Sequence, residues 1–474
     1  MITRTRAVFS RAAARRSGAV RAVLAMAVAL SGCSSMAPIY ERPAAPVAAD
    51  YSGQPGAGAV GARHAADTEW QRFFGDTNLQ RLVELALRNN RDLRVAVINI
   101  EQARAQLPVR RADLLPSVSA GLAGMRQPTA SGGSSSLYTA GLSVSAFELD
   151  LFGRVASLRD AALAQYLATD EARKATQIGL VAAVANGYLG LLADQELLAL
   201  TRQTLVTREE SLRLTRLKFE QGVSSELDLR QALSLVEGAR ATLAQQQRQR
   251  ALDENALVLL VGGPLALALP PIGALAETTL GPELPAGLPS DLLTERPDIR
   301  RAEQQLIAAN ANIGAARAAF FPRISLTGSV GIASSELSDL FKGGAFAWSF
   351  APQLLAPIFD AGRNQGNLEV AQAGRDIAVA QYERAIQAAF REVADALAGR
   401  ATLSEQLRAQ VAQADAEAER FRLSDLRYRN GVASYLDVLD AQRSLFGAQQ
   451  ASILARLAML QNQVTLYAVL GGGG

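Results

Sequence analysis

Asp228, Asp437 and Asp440 fall in two near-copies of one phrase, and their spacing admits two kinds of chemistry. Asp437 and Asp440 are three residues apart, which on a helix places both carboxylates on one face as a paired negative charge. Ser225-x-x-Asp228 and Ser434-x-x-Asp437 also read as capping boxes, with Asp where Glu is usual, so that the carboxylate serves the first turn of a helix. Both readings stay open. Other reactive centres are scarce. The single histidine, His64, lies in a Gly/Ala-rich segment, and Ser/His/Asp catalysis would depend on it. Cys33 is the only cysteine, so histidine–cysteine metal sites are not available, although an all-carboxylate site stays open. No nucleotide-binding glycine loop is present. Basic and acidic residues, 48 and 45, are interleaved and leave a net charge of +3, which points to no nucleic-acid partner. Neither enzymatic activity nor a cofactor is expected, apart from covalent lipid.

The elements that position these carboxylates are themselves duplicated. Arg213, Leu214, Leu217, Gly222, Val223, Ser225, Leu227 and Asp228 recur as Arg422, Leu423, Leu426, Gly431, Val432, Ser434, Leu436 and Asp437. Asp92-Leu-Arg-x-Ala96 returns as Asp298-Ile-Arg-x-Ala302, and Leu114-Leu-Pro-Ser-Val-Ser119 as Phe320-Phe-Pro-Arg-Ile-Ser325. Several pairs in one order exclude chance. Two repeats that cannot each bury their own apolar faces must pack on one another or on other chains.

The chain starts with a basic run from Arg4 to Arg21, an apolar run over 22–30, and Leu30-Ser31-Gly32-Cys33. This reads as a lipoprotein signal, with Cys33 as the lipidated first residue of the mature chain; an ordinary secretory signal is the plainer alternative. Ser34 rather than Asp follows the cysteine, which by resemblance to other lipoproteins favours the outer membrane. An exported chain without a second cysteine has no disulfides, so packing and assembly must supply its stability.

Beyond the signal, no apolar run reaches the ~20 residues of a spanning helix. Membrane crossing would therefore need strands in a closed barrel. Residues 116–125, 137–149, 322–333 and 345–359 alternate apolar positions: Val118, Ala120, Leu122; Leu142, Val144, Ala146; Ile324, Leu326, Val330, Ile332; Phe346, Trp348, Phe350. Gly/Ser loops at 129–136 and 334–344 separate them. Four strands cannot close a barrel, which needs ~8 at least, so several chains must contribute.

The remainder predicts long helices. Residues 153–221 contain no proline, and Leu191, Leu198, Leu205, Leu212 and Phe219 recur every seven residues, as in a coiled-coil seam. The second repeat matches over 362–430, and Ile453, Leu457, Leu460, Val464 and Tyr467 keep the rhythm in its return helix. Gly222 and Gly431 suit the left-handed position after a helix end, and Ser225 and Ser434 suit the cap of the next helix. Shorter helices are expected at 92–113 and 298–319. The expected organisation is a signal peptide (1–32), a lipidated N-terminal segment (33–75), a first repeat (76–262), a linker (263–290) and a second repeat with a C-terminal tail (291–474). Strands at one end and helical tips at the other describe a tube.

Together these motifs resemble the outer-membrane efflux proteins of the TolC type, specifically the lipidated OprM/NodT branch. The resemblance runs from Cys33 to Leu470 and includes Trp70-Gln-Arg-Phe-Phe-Gly-Asp, Phe320-Phe-Pro and, most specifically, Tyr428-Arg-Asn-Gly-Val-Ala-Ser-Tyr-Leu-Asp-Val-Leu-Asp440. It implies a mainly α fold with a β-barrel portion, a homotrimer giving four strands per chain to one barrel, a periplasmic α-helical barrel and an equatorial domain. It further implies the passive exit duct of a tripartite pump, carrying drugs or other small solutes and docked to a periplasmic adaptor and an inner-membrane proton-driven RND transporter.

By the same resemblance, Asp437 and Asp440 ring the periplasmic mouth, with Asp228 at the matching tip and Tyr428 beside them. Carboxylates gathered on an axis repel, raise one another's pKa and attract cations. Ala433 stands where the family pattern can carry arginine, so no lock is expected there. Gly222, Val223, Gly431 and Val432 fall where the family meets its adaptor, though turn geometry alone also accounts for these glycines. Two other readings compete: a duct of the same fold for type I protein secretion, and a lipid-anchored coiled-coil spacer without a pore.

Overall fold

The computed structural model describes residues 35–48, 51, 65–130, 132–264, 274–278, 280–281 and 291–474. Cys33, His64, the signal segment and most of the 263–290 linker lie outside the described residues. The principal elements are α1 (Thr77–Asn89), α2 (Arg91–Ala112), β1 (Val118–Pro128), β2 (Ser134–Leu149), α3 (Arg154–Glu220), α4 (Glu226–Val261), α5 (Pro297–Ala318), β3 (Arg323–Ser334), β4 (Phe346–Leu355), α6 (Arg363–Arg429) and α7 (Tyr435–Val469). The strands and helices stand within a few residues of the expected positions. Both α3 and α6 have 67 residues, which at 1.5 Å per residue is about 100 Å of helix.

The chain divides into two compact units, and each draws on both repeats. The first contains residues 99–170 and 301–383 with the N-terminal stretch up to Ala44. Its sheet is a four-stranded antiparallel meander in the order β1-β2-β3-β4. The alternating apolar positions meet across every ladder: Val118 opposite Val144, Leu142 opposite Val330, and Ile332 opposite Phe346. This apolar face is uncovered, with Leu122 68% and Trp348 71% exposed. A bulge between Val144 and Phe147 breaks the β2–β3 register, with Ala146 at φ 51° and its N–H donating to Thr327 Oγ1. Among the described residues, β1 and β4 each keep one edge without a partner strand.

Beside the sheet, α3 packs on α5 through Ala161, Ala164, Ala308 and Ala311, small side chains that let helices approach closely. The stretch 35–42 lies along α5. Arg42 Nε and Nη2 grip Glu303 at 2.7 and 3.0 Å, Tyr40 donates to the same carboxylate, and Asn310 donates to the carbonyl of Pro38. Gly314 is required here, because a Cβ would stand 2.6 Å from the backbone nitrogen of Ala37.

The second unit contains residues 45–98, 171–300 and 384–474. Its core includes the Phe73–Tyr467 stack, with ring centroids 4.1 Å apart, and Tyr188, whose hydroxyl donates to Asp76 at the cap of α1. Buried Arg296 joins Asp298, Glu392 and the carbonyl of Val469. Burial disfavours the Asp298 charge, yet the Arg296 hydrogen bond and charge outweigh it and hold that carboxyl below its usual range. One sequence expectation needs correction. Helix α3 does carry an 18-residue window apolar enough to cross a membrane (mean hydropathy 1.4). Half of that window is buried, and Val181, Val184, Tyr188, Leu189 and Leu192 spend their apolar surface on packing inside the chain.

Candidate functional site: the helical tips

Both helical hairpins turn through the same local chemistry. Gly222 has φ 71° and Gly431 has φ 73°, the left-handed conformation that glycine adopts without strain. At each turn the last carbonyls are satisfied in Schellman fashion. Gly222 N–H donates to Phe219 and Val223 N–H to Lys218, while Gly431 donates to Tyr428 and Val432 to Arg427. The next helix then starts from a serine cap. Ser225 Oγ accepts from the Asp228 N–H, and Asp228 Oδ2 accepts from the N–H and hydroxyl of Ser225 and from Ser224. Ser434 and Asp437 repeat the reciprocal pair.

The capping boxes thus engage Asp228 and Asp437 within each chain. The Ser225 hydrogen bond holds the Asp228 carboxyl below its ordinary range within the chain. Asp440 does not join Asp437 at a common point. It reaches across the hairpin to Arg420 of α6, which also bonds Glu417 and Ser444. This pair is exposed, 45% for Arg420 and 55% for Asp440.

Tyr428 links the two repeats. Lys218 Nζ, at the end of α3, donates to its hydroxyl at 2.9 Å and lies 4.4 Å from its ring centroid. Tyr428 also leans on Tyr435, with centroids 5.3 Å apart. Behind them, Ala232, Leu235, Tyr435, Val438 and Leu439 form a buried cluster joined by Leu212 and Phe421. All four tip helices therefore share one small core. A groove beside it, about 770 Å³, is lined by Glu210, Leu214, Lys218, Asp425, Tyr428 and Gln442 among others. At the turn apices Val223 and Val432 are exposed, as are Leu227 and Leu436 in the first turn beyond.

Lys218 and Arg420 did not stand out in the sequence. Arg420 had a signal: it lies eleven residues before Gly431 and Asp440 nine after, so folding at the glycine turn brings them level. Lys218 had none, since its partner belongs to the other repeat.

Among the described residues, an exposed apolar sheet with unpaired edges, carried with duplicated long helical hairpins, fits the class of membrane β-barrel proteins completed by further chains. The family model "outer membrane efflux protein" matches residues 82–263 and 288–472. The chain is 49% identical over 465 residues to the toluene efflux pump outer membrane protein TtgC of Pseudomonas putida, covering 96% of each. It is likewise 49% identical over 465 residues to the antibiotic efflux pump outer membrane protein ArpC of Pseudomonas putida, again covering 96% of each. The open state of the MtrE outer membrane channel of Neisseria gonorrhoeae superposes with a TM-score of 0.85 at 42% identity, covering 93% of this chain and 98% of that one. The chain belongs to the outer membrane efflux protein family. It is an outer-membrane efflux channel, which sets aside the spacer without a pore.

Proposed function

We propose that three copies of this chain form the exit duct of a tripartite pump, carrying small apolar solutes such as solvents and antibiotics out of the cell. The observation that carries the assembly is the four-stranded sheet with an uncovered apolar face and two unpaired edges. Open edges do not persist in lipid, where every backbone N–H and C=O needs a partner. Twelve strands from three copies satisfy the closure that four cannot. Relatives named for toluene and antibiotic efflux support the cargo class. In this reading Cys33 carries the lipid anchor. The exposed apices at Gly222, Val223, Gly431 and Val432 receive the helical hairpin of a periplasmic adaptor, and a proton-driven inner-membrane RND transporter supplies the energy.

The gate would work at the tips. Parting the two hairpins of a chain breaks Lys218–Tyr428, because these residues belong to different repeats, but leaves Arg420–Asp440 intact within one hairpin. The exposed Lys218–Tyr428 contact contributes ~1 kcal/mol or less, so the larger cost of parting lies in the buried cluster shared by the four tip helices, which docking of a partner would have to offset. Asp440, Asp437 and Asp228 would then present negative charge at the mouth.

Purified full-length protein in planar bilayers tests the duct. The expected result is a heat-resistant oligomer of three chains with cation-selective conductance. A detergent-solubilised monomer that conducts nothing would sink the reading. Deletion of the gene should sensitise the host to toluene and antibiotics, whereas loss of protein export with unchanged sensitivity would favour secretion.

A further inference from the structure

Arg208 of α3 carries a charge that the helices around it do not neutralise. The residue is 6% exposed. Its Nη1 donates to the Leu235 carbonyl of α4 at 3.1 Å, and its guanidinium lies 5.1 Å from the Phe446 ring centroid of α7. One carbonyl and one ring face cover only part of a group with five N–H donors, and Nε is buried with no hydrogen-bond partner. Among the described residues no carboxylate pairs with it. Its neighbours Glu209 and Glu210 are engaged by Arg240 and Arg213. The charged side chain that does act on it, Arg443 of α7, is also positive. Burial first, and then the Arg443 charge, push the Arg208 pKa below its usual range. A charge buried in this way is costly unless a paired group or a bound ion answers it.

A cavity of about 190 Å³ lies beside the guanidinium, lined by Thr204, Arg208, Phe421, Gln442, Phe446 and Gln449 among others. That is far above the ~10–15 Å³ that one water requires. Gln442 is 8% exposed, and its Oε1 is buried without a partner while Nε2 reaches Ser211 Oγ at 3.4 Å. Reversing this amide lets Oε1 accept from the Ser211 hydroxyl and puts N–H donors where the orphaned oxygen stands. Two cationic side chains, a reversible amide and a cavity suit an anion.

We propose that the tip core binds a small monovalent anion, chloride or a short carboxylate, on the Arg208 guanidinium between α3 and α7. The bound ion joins the repeats, because Arg208 belongs to the first and Gln442 and Phe446 to the second. Occupancy therefore favours the packed arrangement of the two hairpins and opposes the parting invoked above for the gate. The site itself lies within one chain and depends neither on that gate nor on the duct.

Limited chymotryptic digestion of the purified full-length protein, at constant ionic strength, tests the proposal. Replacing bulky gluconate by chloride should slow cleavage at Phe219 and Tyr428 about tenfold when chloride stands tenfold above its Kd. An ion that binds only the packed hairpins lowers the opened population by the factor 1 + [L]/Kd. Arg208→Met, which removes the charge and keeps an apolar stem against Phe446, should be cleaved at one rate in both salts. Equal wild-type rates in the two salts, or the same chloride effect in Arg208→Met, would overturn the site. Bromide supplies a measurement that needs no variant. Crystals of the wild-type protein grown in bromide should show an anomalous peak beside the Arg208 guanidinium. No peak there, or a neighbouring copy's carboxylate standing on Arg208, would overturn the proposal as well.

Discussion

Asp437 and Asp440 show how two carboxylates on one helix face acquire different duties. Asp437 closes a capping box with Ser434, and Asp440 is tied to Arg420 across the turn. Removing a cap costs typically ~1 kcal/mol, and removing an exposed ion pair less, so neither loss should unfold a chain of this size. Their negative charge is what the channel would miss. The double variant Asp437→Ala/Asp440→Ala should therefore raise conductance or weaken cation selectivity in planar bilayers. Ser434→Ala, which loosens the cap and keeps both charges, should leave selectivity intact. A double variant with wild-type conductance and selectivity would remove these residues from the gate.

At the scale of elements, each hairpin depends on a single backbone conformation at its turn. Gly222 and Gly431 have open space where a Cβ would stand, so substitution there carries no clash. Its cost is the left-handed φ alone, roughly 1–2 kcal/mol for a residue with a side chain. Gly431→Ala is expected to destabilise the second hairpin by about that amount, measured as earlier cleavage near the tip in limited proteolysis, while the sheet and its oligomer persist. Unchanged proteolysis would show that the turn tolerates another geometry. Gly314 differs, because there a methyl group meets the backbone of Ala37. Hairpins, strands and caps were all legible in the sequence, since heptads, alternation and the Gly–Ser spacing are local signals. The burial of α3's apolar window was not, because hydropathy does not say whether lipid or protein covers a face.

For the whole molecule, the physical problem is a chain whose described residues leave two strand edges and an apolar sheet face uncovered. Lipid anchoring at Cys33 would hold each copy at the membrane where those edges are satisfied. Cys33→Ser should abolish incorporation of labelled palmitate and leave the leader uncleaved, since cleavage before Cys33 follows modification of its thiol. Equal labelling in the variant would return the leader to an ordinary secretory signal.

Repetition, periodicity and turn chemistry are properties of neighbours along the chain, so the sequence by itself determined the strands, the paired hairpins, the caps and the family. Tertiary structure decided which side chains meet between the two repeats. Lys218 belongs to one repeat and Tyr428 to the other, and no local pattern records a contact made only when two hairpins share a core.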